Sequence, residues 1–170
     1  MVEAAGVLVT VTRDGSRWRA EYVFDRDARA WALYQSSNVN RTREPWRPRD
    51  WTPATPGVVL ERAGTLDVLR AEGGGPVPRR ITLELTPRGD NLEADYPVLL
   101  FSDDSVAMPT GAFDVFPLDQ ADAAGVAEEA VAEGRRQGSN ARVSWRDGAG
   151  PVLVHGRRVP EGVTTDGRGY

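Results

Sequence analysis

Cysteine is absent from the 170 residues, and so is lysine. Without cysteine the chain has no disulfide, no thiolate metal site and no cysteine nucleophile. That absence leaves the compartment open, because a cytosolic chain and a disulfide-free periplasmic one look alike. Without lysine there is neither Schiff-base lysine chemistry nor a phosphate-loop lysine. Histidine occurs once, at His155. A Ser–His–Asp triad would have to use it, yet no G-x-S-x-G elbow is present. It closes the apolar run Val152-Leu153-Val154 and reads as a structural residue. No apolar run approaches the roughly 18 residues a membrane-spanning helix needs. Met1 to Ala5 lacks the basic start and apolar centre of a signal peptide.

The basic residues present are 21 arginines against 25 acidic residues, a net charge of −4. That balance argues against nucleic acid as a partner. Arginine in place of lysine favours planar, bidentate pairing with carboxylates.

Alternation with a period of two dominates the patterning. Trp18, Ala20, Tyr22 and Phe24 fall on one face of an extended segment, and Arg17, Arg19 and Glu21 on the other. The run 6–12 precedes it, and Asp14-Gly15 between them predicts a hairpin. Ala30–Tyr34, 57–62, 65–71, Arg80–Thr86, Val98–Phe101 and Ser105–Met108 predict further strands. Ala141–Trp145 and Val152–His155 predict a closing hairpin around Asp147-Gly148. Residues 119–136 are rich in alanine and glutamate, with Asp119 placed as an N-cap. Alanine packs weakly and Gly125 and Gly134 interrupt the run, so helix and partly ordered linker both fit. Many short strands with Gly and Pro turns predict a mainly β fold, an antiparallel β-sandwich, over residues 1–158. Residues 159–170 carry three glycines and few apolar groups, and are expected to be a flexible tail or a linker to a following domain.

Three groupings could carry chemistry. Residues 36–56 form a long Pro/Arg-rich loop, with a short strand expected near Trp51. There Arg41, Arg43, Arg47 and Arg49 interleave with Trp46 and Trp51. Such a set offers stacking and cation–π contacts to a partner. Equally, it can be a loop that buries its own tryptophans. Trp46, Arg47, Arg49 and Trp51 are the candidate docking residues. The acidic group Glu93, Asp95, Asp103, Asp104 and Asp114 fits turn chemistry and arginine pairing. Asp103 and Asp104 are a candidate calcium pair, although the spacing matches no 12-residue EF-hand loop. A carboxylate enzyme using Asp95 with Asp103 or Asp104 would need its two carboxyl groups about 5–10 Å apart. Gly73-Gly74-Gly75 is a flexible loop, since no helix start follows it.

Several stretches taken together resemble a known family. They are Trp18-Arg19-Ala20-Glu21-Tyr22-Val23-Phe24, Trp46-Arg47-Pro48-Arg49-Asp50-Trp51, Thr55-Pro56-Gly57-Val58, Leu92-Glu93-Ala94-Asp95-Tyr96, Phe101-Ser102-Asp103-Asp104-Ser105 and Phe113-Asp114-Val115-Phe116-Pro117. They look like the N-terminal region of bacterial proteins related to the gluzincin aminopeptidases, over most of residues 7–155. In that family a leading β-sandwich packs against a thermolysin-like zinc domain. The resemblance implies a non-catalytic accessory domain whose partner is a C-terminal catalytic domain of the same protein. No cofactor is implied in this chain. The resemblance implies zinc in the parent protein, held by an H-E-x-x-H motif and a downstream glutamate that this chain does not carry. A periplasmic or membrane-associated parent fits that picture. The alternative is a free-standing carbohydrate- or peptide-binding sandwich, which would display aromatics drawn from Trp31, Trp46, Trp51 and Trp145.

Overall fold

The computed structural model describes residues 6–14, 17–33, 46–63, 66–85, 99–102, 105–109, 113–118, 141–145 and 152–155. The described chain is mainly β. In chain order the strands are β1 (Val7–Asp14), β2 (Arg17–Phe24), β3 (Ala30–Leu33), β4 (Trp51–Pro53), β5 (Val58–Ala63) and β6 (Leu66–Ala71). They continue with β7 (Arg80–Leu85), β8 (Leu99–Ser102), β9 (Ser105–Pro109), β10 (Val115–Leu118), β11 (Ala141–Trp145) and β12 (Val152–His155). One short helix, α1 (Trp46–Asp50), precedes β4.

The strands form a five-stranded sheet in the order β11–β1–β2–β7–β4, a four-stranded sheet β10–β3–β6–β5 and a three-stranded sheet β12–β9–β8. The first two pack face to face. From the five-stranded sheet, Val7, Val9, Val11, Trp18, Ala20, Tyr22, Phe24, Ile81, Leu83, Leu85 and Trp51 point inward. They meet Trp31, Leu33, Val58, Leu69 and Val115 of the four-stranded sheet. The period-two pattern dictates this arrangement: register pairs Val9 with Tyr22 and Tyr22 with Ile81, so one apolar row crosses three strands. Leu85 likewise lies between Trp18 and Trp51.

Within the four-stranded sheet, β3 and the first half of β6 are buried on both faces. Behind the shared core, Ala30, Ala32, Leu66, Val68, Phe116 and Leu118 form a second buried cluster. Strands buried on both faces lose the polar alternation, which is why Ala30–Leu33 and Leu66–Leu69 read as nearly continuous apolar runs.

Turn chemistry fixes the register. Asp14 pairs with Arg17, so β1 keeps Asp14 and the connection is residues 15–16, one position later than Asp14-Gly15 predicts. Between β4 and β5, the Val58 amide donates to the Thr55 carbonyl at 3.3 Å, with Pro56 and Gly57 in the central positions. Gly57 has φ of 75°, the conformation a type II turn demands at its third residue.

Three expectations are corrected. The strands β11 and β12 do not form a hairpin with each other: β11 runs parallel to β1 and β12 runs parallel to β9, in different sheets. Tryptophan and arginine inside the irregular connection make a helical turn, with Pro48 tolerated near its start because the first amides of a helix need no internal acceptor. Val115–Leu118 is a strand that the alternation did not mark. The predicted helix or linker over 119–136 and the tail 159–170 lie outside the described residues.

Candidate functional site

The most unusual feature of the core is a charged pair inside it. Arg47 and Asp67 are both fully buried. Arg47 reaches from α1 and donates from Nη1 to Asp67 Oδ2 at 2.8 Å. Asp67 stands on the inward face of β6, next to Leu69 in the alternation. Its cross-strand neighbour Arg62 places Nε 2.9 Å from Oδ1. That second contact is Coulombic and its N–H does not point along the line of a hydrogen bond, so it holds Asp67 less firmly than Arg47 does.

Aromatic side chains frame the pair. The Arg47 guanidinium lies 5.0 Å from the centre of the Trp51 ring. Trp51 stacks on Phe113 at 5.6 Å, Phe113 meets Tyr22 at 6.5 Å, and Tyr22 meets Phe24 at 5.9 Å. Phe24 in turn stacks on Trp31 at 4.3 Å. One chain of rings therefore ties the α1–β4 segment to both sheets. Asp114, beside Phe113, accepts from the Ala141 amide at 3.0 Å and anchors the start of β11.

The electrostatics follow from burial. Desolvation pulls the Arg47 guanidinium below its usual range, and Asp67 opposes this through charge and hydrogen bonding. Arginine nonetheless stays protonated in proteins, so Arg47 is a fixed positive charge. Burial drives the Tyr22 phenol far above its ordinary value, with Arg47 lowering it and Asp114 raising it. Its hydroxyl is buried without a hydrogen-bond partner among the described residues. A permanently charged guanidinium and a permanently neutral phenol do not exchange protons near neutral pH. The cluster ties α1 and β4 to the opposite sheet.

The outer face of the five-stranded sheet has a different character. Arg19 pairs with Glu84 directly across β2 and β7 at 3.2 Å, and Arg80 with Glu21 on the diagonal at 2.7 Å. Arg70 and Glu61 make a two-pronged contact across β5 and β6, as the all-arginine composition predicts. At one end of the sandwich Asp25 accepts from the Gly6 amide at 2.7 Å and pairs with Arg26 at 3.0 Å. Burial tends to raise the Asp25 carboxyl, but Arg26 and that amide outweigh it and the net shift is downward. Leu8, cross-strand from half-buried Val23, is 51% exposed, the one large apolar side chain so exposed among the described residues.

Arg47 and Trp51 of the expected docking set are thus interior, holding the sandwich from within. The side chains of Trp46 and Arg49 lie outside the described residues, as do Glu93, Asp95, Asp103, Asp104 and the side chain of His155. Among the described residues no group of three carboxylate or imidazole side chains is placed to hold a metal ion, and no helix is long and apolar enough to cross a membrane. Sequence reading missed Asp67. Its signal was there: a lone acid in Leu66-Asp67-Val68-Leu69, on the same alternation as Leu69.

No family model, curated protein or solved structure matches the chain.

Proposed function

We propose that this chain is a non-catalytic β-sandwich that works by packing against a second protein domain, through the outer face of its five-stranded sheet. The observation that supports this is the setting of Leu8. It stands half exposed opposite Val23, with Thr10, Glu21 and Arg80 around it. Leu8 and half-buried Val23 make a small apolar spot among polar neighbours, which a covering domain would bury. The rim charges are already paired within the sheet, Arg80 with Glu21 and Arg19 with Glu84. A covering domain would therefore leave these four charges, among the described residues, matched to one another.

The finer reading, which rests on the sequence resemblance, is that the second domain is the zinc-binding catalytic domain of an aminopeptidase-like protein. The carbohydrate-module alternative has less support, because Trp31 and Trp51 are interior and cannot join an exposed stacking platform.

The test uses the absence of cysteine. Leu8→Cys gives the chain a unique thiol whose labelling rate reports cover over that spot. The reading frame is followed past Tyr170, and the variant is made alone and joined to whatever polypeptide continues it. Labelling slowed at least tenfold in the joined protein supports docking on this face. Equal rates overturn it. A continuation with H-E-x-x-H and a later glutamate supports the finer reading, and tryptophan fluorescence that shifts with oligosaccharides on the chain alone would put the module reading in its place.

A further inference from the structure

We propose that residues 46–55 form a strap that opens as a unit before the sandwich unfolds, with Arg47–Asp67 as its latch. The segment comprises α1, β4 and the residues up to Thr55, and it ends at the Pro56–Gly57 turn. Its strand β4 is one of the two edges of the five-stranded sheet, pairing along β7 over only three residues: Trp51 with Leu85, Thr52 with Glu84 and Pro53 with Leu83. Beyond Pro53 the pairing passes to single bonds. The Ala54 amide donates to the Thr82 carbonyl at 2.8 Å, and the Thr82 amide donates to Thr55 Oγ1 at 2.8 Å. A side-chain hydroxyl completes the ladder where the strand ends.

A five-residue helix has no stability of its own, because nucleation outweighs the few bonds it makes. What fixes α1 is what it touches. Arg47 crosses to Asp67 in the opposite sheet, and Trp51 covers Phe113. By contrast β1 pairs with β2 over eight positions and β2 with β7 over six. Opening the strap breaks the Arg47–Asp67 pair, the Trp51–Phe113 stack and a short ladder, exposes the buried Arg47, Asp50 and Trp51, and leaves the rows Val7–Phe24 and Val9–Tyr22–Ile81 intact. Global unfolding breaks all of these. The strap also closes the β7 edge, and an open edge is a template for another strand. The latch thus governs whether β7 presents that edge.

Native-state amide exchange on the full chain tests this. The amides of Ala54 and Thr82 are expected to exchange faster than the central amides of β1 and β2, and with a weaker dependence on urea. Val7→Ala, remote from the strap, is expected to speed the central amides and leave Ala54 and Thr82 unchanged. Asp67→Asn removes from the closed state a contact that both strap opening and global unfolding break, and is expected to speed both sets together, on the order of a hundredfold or more. Should Asp67→Asn not fold, the wild-type and Val7→Ala comparison still decides. The proposal is overturned if Ala54 and Thr82 exchange with the same energy and urea dependence as the centre, and Val7→Ala speeds all of them alike.

Discussion

At the scale of single residues, the interior of this sandwich combines two kinds of polar group with opposite consequences. Arg47 and Asp67 are charged, buried and matched. Removing one strands the other, so Arg47→Met or Asp67→Leu alone should cost about 3–5 kcal/mol, whereas the double variant should lie near wild type or above it. Arg62 is 24% exposed and can turn to solvent when Asp67 is gone. Urea unfolding of the four proteins closes the cycle, and additive losses would mean that packing matters here and pairing does not. Tyr22 is the opposite case, a hydroxyl buried with no hydrogen-bond partner among the described residues. Tyr22→Phe should therefore be neutral or stabilising by about 1 kcal/mol at neutral pH. The pH dependence follows from the direction of its shift. The folded state holds the phenol protonated far above the unfolded value of 10.0. Its contribution is complete below pH 10 and is lost as pH rises further, because only the unfolded state then releases the proton. Above pH 10 the gap between Tyr22→Phe and wild type should widen by up to about 1.4 kcal/mol per pH unit. A constant gap in alkaline urea titrations would mean that the phenol ionises in the folded state.

At the scale of elements, backbone conformation separates glycines that look alike in the sequence. Gly57 sits at φ 75° with nothing within 4 Å of where a Cβ would stand. Gly57→Ala meets no clash, and its whole cost is the left-handed backbone, about 1–2 kcal/mol. Gly73 also has open space and no positive φ, so Gly73→Ala should gain about 0.4–1 kcal/mol by restricting the unfolded chain. Thermal unfolding that moved both variants in the same direction would contradict this assignment of turns. The same elements show what sequence reading can see. Alternation marked the faces of β2 and β7 correctly, since each has one side in the core and one in solvent. It gave no direction for β3 and β6, which are buried on both sides and carry no polar rhythm. The short strand at Trp51 was legible, but the inward turn of Arg47 was not. An arginine between tryptophans reads as surface, and the aspartate that draws it inside lies 20 residues away on another strand. The lone acid in Leu66-Asp67-Val68-Leu69 shows locally, but nothing local shows that Arg47 is its partner.

At the scale of the whole molecule, chain order and spatial order part company at β11. An apolar pair of runs near the end of the chain reads as a hairpin, because nearby strands usually pair. Here β11 instead returns to lie parallel to β1, opposite Val7–Val11. Asp114 holds its first amide, so the return is fixed by a side chain from the segment leading into β10. With β11 in place, β1 is an inner strand of a five-stranded sheet. Without it, β1 becomes an edge with a β-branched run, Val7 to Thr12, and every other outward backbone group unpaired. Edges of that composition associate with other strands. A chain ending at Leu118 keeps β1 to β7 and β10, and with them most of the shared core. It should therefore stay folded by circular dichroism yet sediment as larger species than the full chain does at the same micromolar concentration. Adding Val9→Lys would disrupt the core, since Val9 faces inward. Thr10→Lys instead puts a charge on the outer face of the exposed strand and should return the short chain to a monomer. A short chain that is monomeric without that substitution would show that β11 is dispensable for closing the sheet, and one that is unfolded would show that the return strand is part of the core itself.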